Sequence, residues 1–138
     1  DKYYITKMIT IYMILEELIM DKVTDRHNNC YIRLYSNIEK IDIVNKINEG
    51  KINEIPNKLS QINHIYRKKE GHLLFSENNI RLLSNLINND KNIILINSKN
   101  GNTWYAKIDD DGSQIWGKVY NNKLSNGGLN TIPRKLQD

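Results

Sequence analysis

From Ser76 to Tyr120 the chain reads SENNIRLLSNLINNDKNIILINSKNGNTWYAKIDDDGSQIWGKVY, and within these residues the hydrophobic period changes from that of a helix to that of a strand. Ser76 can cap a helix. Behind it Ile80, Leu82, Leu83, Leu86 and Ile87 form an amphipathic run of about three turns that stops at Asn88-Asn89-Asp90. From there the period is two. Asn92 to Asn97 is a short apolar run, Lys99-Asn100-Gly101-Asn102 is a hairpin turn, Thr103 to Asp109 alternates, Asp110-Asp111-Gly112 turns again, and Ser113 to Tyr120 alternates. Three antiparallel strands therefore follow the helix, and Tyr120-Asn121-Asn122-Lys123 can reverse the chain into a fourth that begins at Asn122-Lys123-Leu124.

Toward the N-terminus the pattern is helical. Ile5, Met8, Ile9, Tyr12, Leu15 and Ile19 recur at spacings of three and four, which predicts a long helix over residues 4–21. Tyr3 to Met20 is apolar, yet it contains Lys7, Glu16 and Glu17 and no small-residue cleavage site, so it reads as a buried helix rather than a signal peptide or membrane span. Asp25 to Asn29 is a polar turn, and Cys30 to Tyr35 alternates briefly. Ser36 followed by Glu39 forms a capping box for a second helix through about Asn48, ended by Glu49-Gly50. After Pro56, a short helix from Asn57 to Ile65 carries Leu59, Ile62 and Ile65 on one side. The expected fold class is α+β, helices first and a small antiparallel sheet last. The expected division is an N-terminal helical segment over residues 1–61 and a catalytic part over residues 62–138.

Charge separates these two parts. Residues 1–60 carry nine Lys/Arg against nine Asp/Glu, and residues 61–138 carry eleven against seven, so the whole net charge of +4 lies in the second. A basic half suits a polyanionic substrate. Cys30 is the only cysteine, which rules out an intramolecular disulfide and a multi-cysteine zinc site.

The same half holds the chemistry-bearing residues. His64 and His72 lie eight residues apart with Arg67, Lys68 and Lys69 between them, and two imidazoles near neutrality can serve as base and acid. His27 sits in the polar turn of the neutral half and is taken as a bystander. The spacing of His64 and His72 is not that of a helical zinc hydrolase, and no carboxylate cluster completes a ligand set, so neither metal nor cofactor is expected. Asp109-Asp110-Asp111-Gly112 reads as a hairpin turn rather than a calcium loop. Placed on one face, Tyr105, Lys107, Gln114, Trp116 and Lys118 would offer stacking surface, hydrogen bonds and cations to single-stranded RNA. The backbone N–H groups of Asn126-Gly127-Gly128-Leu129-Asn130-Thr131 would suit a phosphate, although a plain turn accounts for this stretch equally well.

Residues 62–135 resemble the C-terminal toxin domains of contact-dependent growth inhibition and related polymorphic toxin systems. The resemblance is carried by His64-Ile65-Tyr66-Arg67, Gly71-His72-Leu73, Glu77-Asn78-Asn79 with Arg81, Gly101-Asn102-Thr103-Trp104-Tyr105-Ala106-Lys107, Asp111-Gly112-Ser113-Gln114-Ile115-Trp116, and Asn126-Gly127-Gly128-Leu129-Asn130 through Arg134. Such domains are similar to the barnase, EndoU, colicin and RelE group of ribonucleases. This resemblance implies metal-independent cleavage of tRNA or another structured RNA to a 2′,3′-cyclic phosphate. It further implies delivery as part of a larger secreted or cell-surface effector, action in the target-cell cytoplasm, and an acidic immunity protein as partner. It makes His64 and His72 the acid/base pair, Lys107 the phosphate stabiliser, and Thr131 and Gln114 positioning groups; beside these, the reading of the residues themselves places Arg67, Tyr105, Trp116, Lys118 and Asn130 on the substrate. Leu74-Phe75-Ser76 departs from the usual Pro-containing turn after Gly-His-Leu, and Gly117 replaces a more usual side chain. A module that binds RNA or a protein partner without turnover is the alternative reading. An antitoxin or immunity protein fits less well, because partners of basic nucleases are typically acidic and the isoelectric point here is about 9.1.

Overall fold

The computed structural model describes residues 22–24, 30–32 and 35–138. The helix expected over residues 4–21 and the turn from Asp25 to Asn29 lie outside the described residues. Strands β1 (Lys22–Thr24) and β2 (Cys30–Ile32) pair as an antiparallel hairpin. Then come α1 (Asn37–Asn48), α2 (Leu59–Ile65) and α3 (Glu77–Ile87), a short 3-10 turn, and β3 (Ile93–Asn97), β4 (Asn102–Ile108), β5 (Gln114–Tyr120) and β6 (Lys123–Asn130). The last four form one antiparallel sheet in the order β3-β4-β5-β6. The fold is α+β, three helices followed by a four-stranded antiparallel sheet.

Local signals place these elements. Ser36 accepts from the Glu39 backbone N–H while the Glu39 carboxylate accepts from the Ser36 N–H, so the capping box closes α1 at its N-terminus. Ser76 accepts from the Asn79 N–H and starts α3 in the same way. At the β5–β6 turn Asn121 and Asn122 take positive φ values of 50° and 61°, a conformation asparagine tolerates and one that matches the twist of a tight hairpin. Asp109-Asp110-Asp111-Gly112 is the β4–β5 turn. There the Gly112 N–H donates to the Asp109 carbonyl, and the Ser113 N–H to the Asp111 carboxylate.

The helices cover one face of the sheet. Ile80, Leu83 and Ile87 of α3 are fully buried against Tyr105, Ile115, Val119 and Leu124. Gly117 of β5 lets α3 approach, since a Cβ there would lie 3.1 Å from Ile87 and 3.1 Å from Leu124. Val44 and Ile47 of α1, Ile55, and Ile62 and Ile65 of α2 belong to the same core. The boundary expected at residues 61/62 lies within α2, and among the described residues Val44, Ile47 and Ile55 belong to the same core cluster as the helix and strands of the second half. Among the described residues no helix is long and apolar enough to cross a membrane.

Candidate active site

The excursion between α2 and α3 builds the site. Tyr66 and Leu73 form a parallel bridge that closes the loop on itself, and Gly71, with φ of 83°, turns its carbonyl toward the sheet. That carbonyl accepts from the Leu129 N–H and from the Trp116 indole N–H, both at 3.1 Å. The seat beneath it is Gly128, where a Cβ would stand only 1.9 Å from the Gly71 oxygen. Asn126 to Asn130 thus belongs to strand β6, and its second glycine is the floor on which the turn rests, not a phosphate-holding loop.

On this footing His72 is held from two sides. Its Nδ1 lies 3.1 Å from the Ile65 carbonyl, and because a carbonyl oxygen only accepts, Nδ1 carries the proton and Nε2 keeps its lone pair. Arg67 Nη2 approaches that Nε2 at 3.4 Å. The other arm of the same guanidinium reaches His64, with Nη1 2.8 Å from His64 Nδ1 and also bonded to the His64 carbonyl. One cation therefore links the two histidines, His64 exposed at the end of α2 and His72 half-buried. Burial holds the His72 pKa below the ordinary value of 6.5, and the positive charges of Arg67 and Lys69 push the same way, against the opposing pull of the Ile65 carbonyl.

The His72 ring stands edge-on to Trp116, with centroids 6.0 Å apart and planes at 69°. Trp116 stacks on Trp104 at 6.0 Å, and Lys118 Nζ lies 5.4 Å from the Trp104 ring centre. A cavity of about 440 Å³ opens beside His72, lined by Lys69, Glu70, Leu129, Asn130, Thr131 and Arg134, so one carboxylate shares the wall with the two cations. A second of about 360 Å³ adjoins it over Trp104 and Trp116, walled by Arg134, Lys135, Leu136 and Gln137. Residues 131–138 contain no helix or strand and run back over this face.

The sequence-predicted residues divide. His64, Arg67, His72, Trp116, Asn130 and Thr131 come together, with Lys118 beyond Trp104. Tyr105 and Lys107 do not join them, because β4 and β5 pair Trp104 with Lys118, Ala106 with Trp116 and Ile108 with Gln114. Tyr105 and Lys107 therefore lie on the helix-covered side, where the Tyr105 hydroxyl accepts from Asn53 and burial raises its pKa, while Lys107 is exposed near the strand end. The alternation within each strand holds, but the common face expected for Tyr105, Lys107, Gln114, Trp116 and Lys118 does not form. Gln114 is occupied structurally, since its Oε1 accepts from Asn130 Nδ2 and the Arg134 N–H and its Nε2 donates to the Arg134 carbonyl. Trp104, Lys69, Arg134 and Lys135 are additions. For Lys69, Arg134 and Lys135 the sequence signal is basic character near a histidine or after the last strand, and for Trp104 it is only the alternation of its strand.

Among the described residues, no three His, Cys, Asp or Glu side chains gather as a metal-binding group. No family model matches the sequence, no curated protein matches it, and no solved structure matches the chain. The arrangement of these side chains is what carries a functional reading.

Proposed function

We propose that this chain is an endoribonuclease, the toxin domain of an antibacterial effector, which cleaves tRNA or another structured RNA through attack of a 2′-hydroxyl on the adjacent phosphate. The observation that carries this reading is the Arg67 guanidinium set between His64 and His72, the second of which lines a cavity together with Lys69 and Arg134. In this mechanism His72 is the base. Its Nδ1–H is tied to the Ile65 carbonyl, its Nε2 keeps a lone pair, and its lowered pKa keeps it neutral and able to take the 2′-hydroxyl proton. Arg67 turns from Nε2 to the phosphate when RNA enters, and His64, which it then releases, returns a proton to the departing 5′-oxygen. Lys69 and Arg134, on the cavity wall, take the phosphate-stabilising role that the sequence assigned to Lys107. The products are a 2′,3′-cyclic phosphate and a 5′-hydroxyl. An acidic immunity protein that covers the basic cleft is the partner this reading requires.

One observation favours a module that binds RNA without cutting it: in this form Arg67 occupies the very lone pair the base needs. The decisive experiment is incubation of the chain with total bacterial RNA in excess EDTA beside His64→Ala and His72→Ala. Discrete new ends carrying cyclic phosphate, lost in either variant, are expected. RNA bound but left intact by the unaltered chain sinks the ribonuclease reading in favour of the module.

A further inference from the structure

The outward face of the sheet is covered by a segment with little to hold it there. Residues 131–138 have no regular backbone pairing, and within them only Leu136 is even half-buried. They are retained by polar clasps at two places. The first is the pair of bonds between Gln114 and the Arg134 backbone. The second is the Asp138 carboxylate, whose two oxygens accept from Asn97 Nδ2 at 2.9 Å and Asn102 Nδ2 at 3.0 Å at the β3–β4 hairpin. No lysine or arginine supplies this second clasp. Neutral side-chain amides, that of Asn100 first and then those of Asn97 and Asn102, hold the carboxylate down to about 2.

Under the segment lie two large aromatic rings that a solvated sheet face has no need to bury. Trp104 and Trp116 are 7% and 9% exposed, with planes 28° apart. The buried Trp104 indole N–H faces toward the Asp138 carboxylate without reaching hydrogen-bond geometry, so a donor is left without an acceptor. The amide cluster, the open donor, the stacked rings, and Lys118 5.4 Å over Trp104 are the parts of a nucleotide site: donors for two anionic oxygens, a platform for a base, and a cation. Trp116 touches both Trp104 and His72, so this surface is continuous with the cleft.

We propose that residues 131–138 form a strap closed over a second nucleotide subsite for single-stranded RNA, in which the Asp138 carboxylate occupies the place of an RNA phosphate and Trp104 and Trp116 receive a base. This inference rests on the ribonuclease reading and extends it. It assigns the substrate a nucleotide flanking the one that is cut, reached when RNA displaces the strap. Displacement exchanges one anion for another on the same amides, so the bonds that hold the strap closed are those that the RNA then makes.

The test uses the full chain, unaltered, as Asp138→Ala, and as Asn97→Asp, which sets a second carboxylate against the first. Acrylamide quenching of tryptophan fluorescence without RNA reports the strap. Fluorescence anisotropy with a short 2′-O-methyl oligoribonucleotide, which cannot be cleaved, reports the subsite. Both variants are expected to raise quenching, and Asp138→Ala to raise oligonucleotide affinity several-fold. Adding Trp104→Leu to Asp138→Ala is expected to lower affinity by about tenfold, the worth of one stacked base. Unchanged quenching in both opening variants overturns the strap. Raised quenching with no gain in affinity, in a protein that binds and cuts RNA, overturns the subsite alone. If no variant binds the oligonucleotide and none cuts RNA, the ribonuclease reading falls and the subsite with it.

Discussion

The two faces of the sheet are held by different physics. On the helix side the attraction is apolar burial. The side chains of Ile80, Leu83 and Ile87 meet Tyr105, Ile115 and Val119 through apolar surface, with the Asn53 bonds to the Tyr105 hydroxyl and the Ile87 carbonyl alongside, and each buried aliphatic side chain contributes about 1.5–3 kcal/mol. On the other side almost every element is fastened by named donors and acceptors: Gly71 to Trp116 and Leu129, Gln114 to Arg134, Asp138 to Asn97 and Asn102. Such bonds have a net worth of about 1 kcal/mol each, but they fix direction. The first face makes the protein stable, and the second, cheap to rearrange, is where the proposed chemistry would sit.

That contrast can be broken by experiment. The largest effect is expected from His72→Ala, which should lower RNA cleavage by about 10²- to 10⁴-fold, as loss of a general base does, with little change in the melting temperature. Leu83→Ala should do the reverse, costing about 2–5 kcal/mol in denaturant titration while the folded fraction cleaves at the normal rate. A Leu83 variant that folds well but cuts poorly would show the two faces to be coupled. Gly128→Ala tests the junction between them. Its methyl group would meet the Gly71 backbone carbonyl at 1.9 Å, with no flexible side chain to give way, so a loss of about 1–3 kcal/mol should come with a displaced turn and lost cleavage together.

Smaller effects sharpen the picture. Because burial, Arg67 and Lys69 hold His72 below 6.5, the base is already neutral where an ordinary histidine is half charged, and the acid limb of kcat/KM should lie below that pH. Removing one cation with Lys69→Ala should move the limb up toward 6.5, and a limb that stays put would separate Lys69 from His72. The same depression has a stability counterpart. Below pH 6.5 the unfolded chain protonates this histidine before the folded chain does, so stability should decline as pH falls through that window and be indifferent to this group above it. Least of all, Lys107→Ala should leave cleavage unchanged, since Lys107 lies on the helix side. A clear loss would restore the role its sequence position suggested.

What could be read from the sequence was what short range determines. The α3 stripe, the Ser36/Glu39 box, the three hairpin turns and the alternation of β4 and β5 each depend on residues a few positions apart. Which sides of β4 and β5 coincide was not legible. It depends on how many residues the turn spends between Ile108 and Gln114, and an odd or even count exchanges every partner. The pairing of His64 with His72 was visible as spacing, but the Arg67 bridge between them needed the loop to close. The purpose of Gly128 was hidden for a related reason, because its neighbour is Gly71, far away in sequence. Residues 131–138 gave no periodic signal, since a strap held by single polar bonds has no face to repeat.

The order of events in folding is set by the meander. Every strand of the four-stranded sheet pairs with its neighbour in sequence, so the sheet assembles by closing short loops, and the two-residue reversal at Asn121 and Asn122 makes β5 and β6 an early pair. The bond from Trp116 to Gly71 spans 45 residues, and that from Gln114 to Asn130 needs the hairpin already in place. The cleft is thus completed after the sheet it rests on. A chain still emerging, with its strands unpaired, has both histidines but no seat for the turn that orients them. On the ribonuclease reading, cleavage would therefore wait until the sheet is paired.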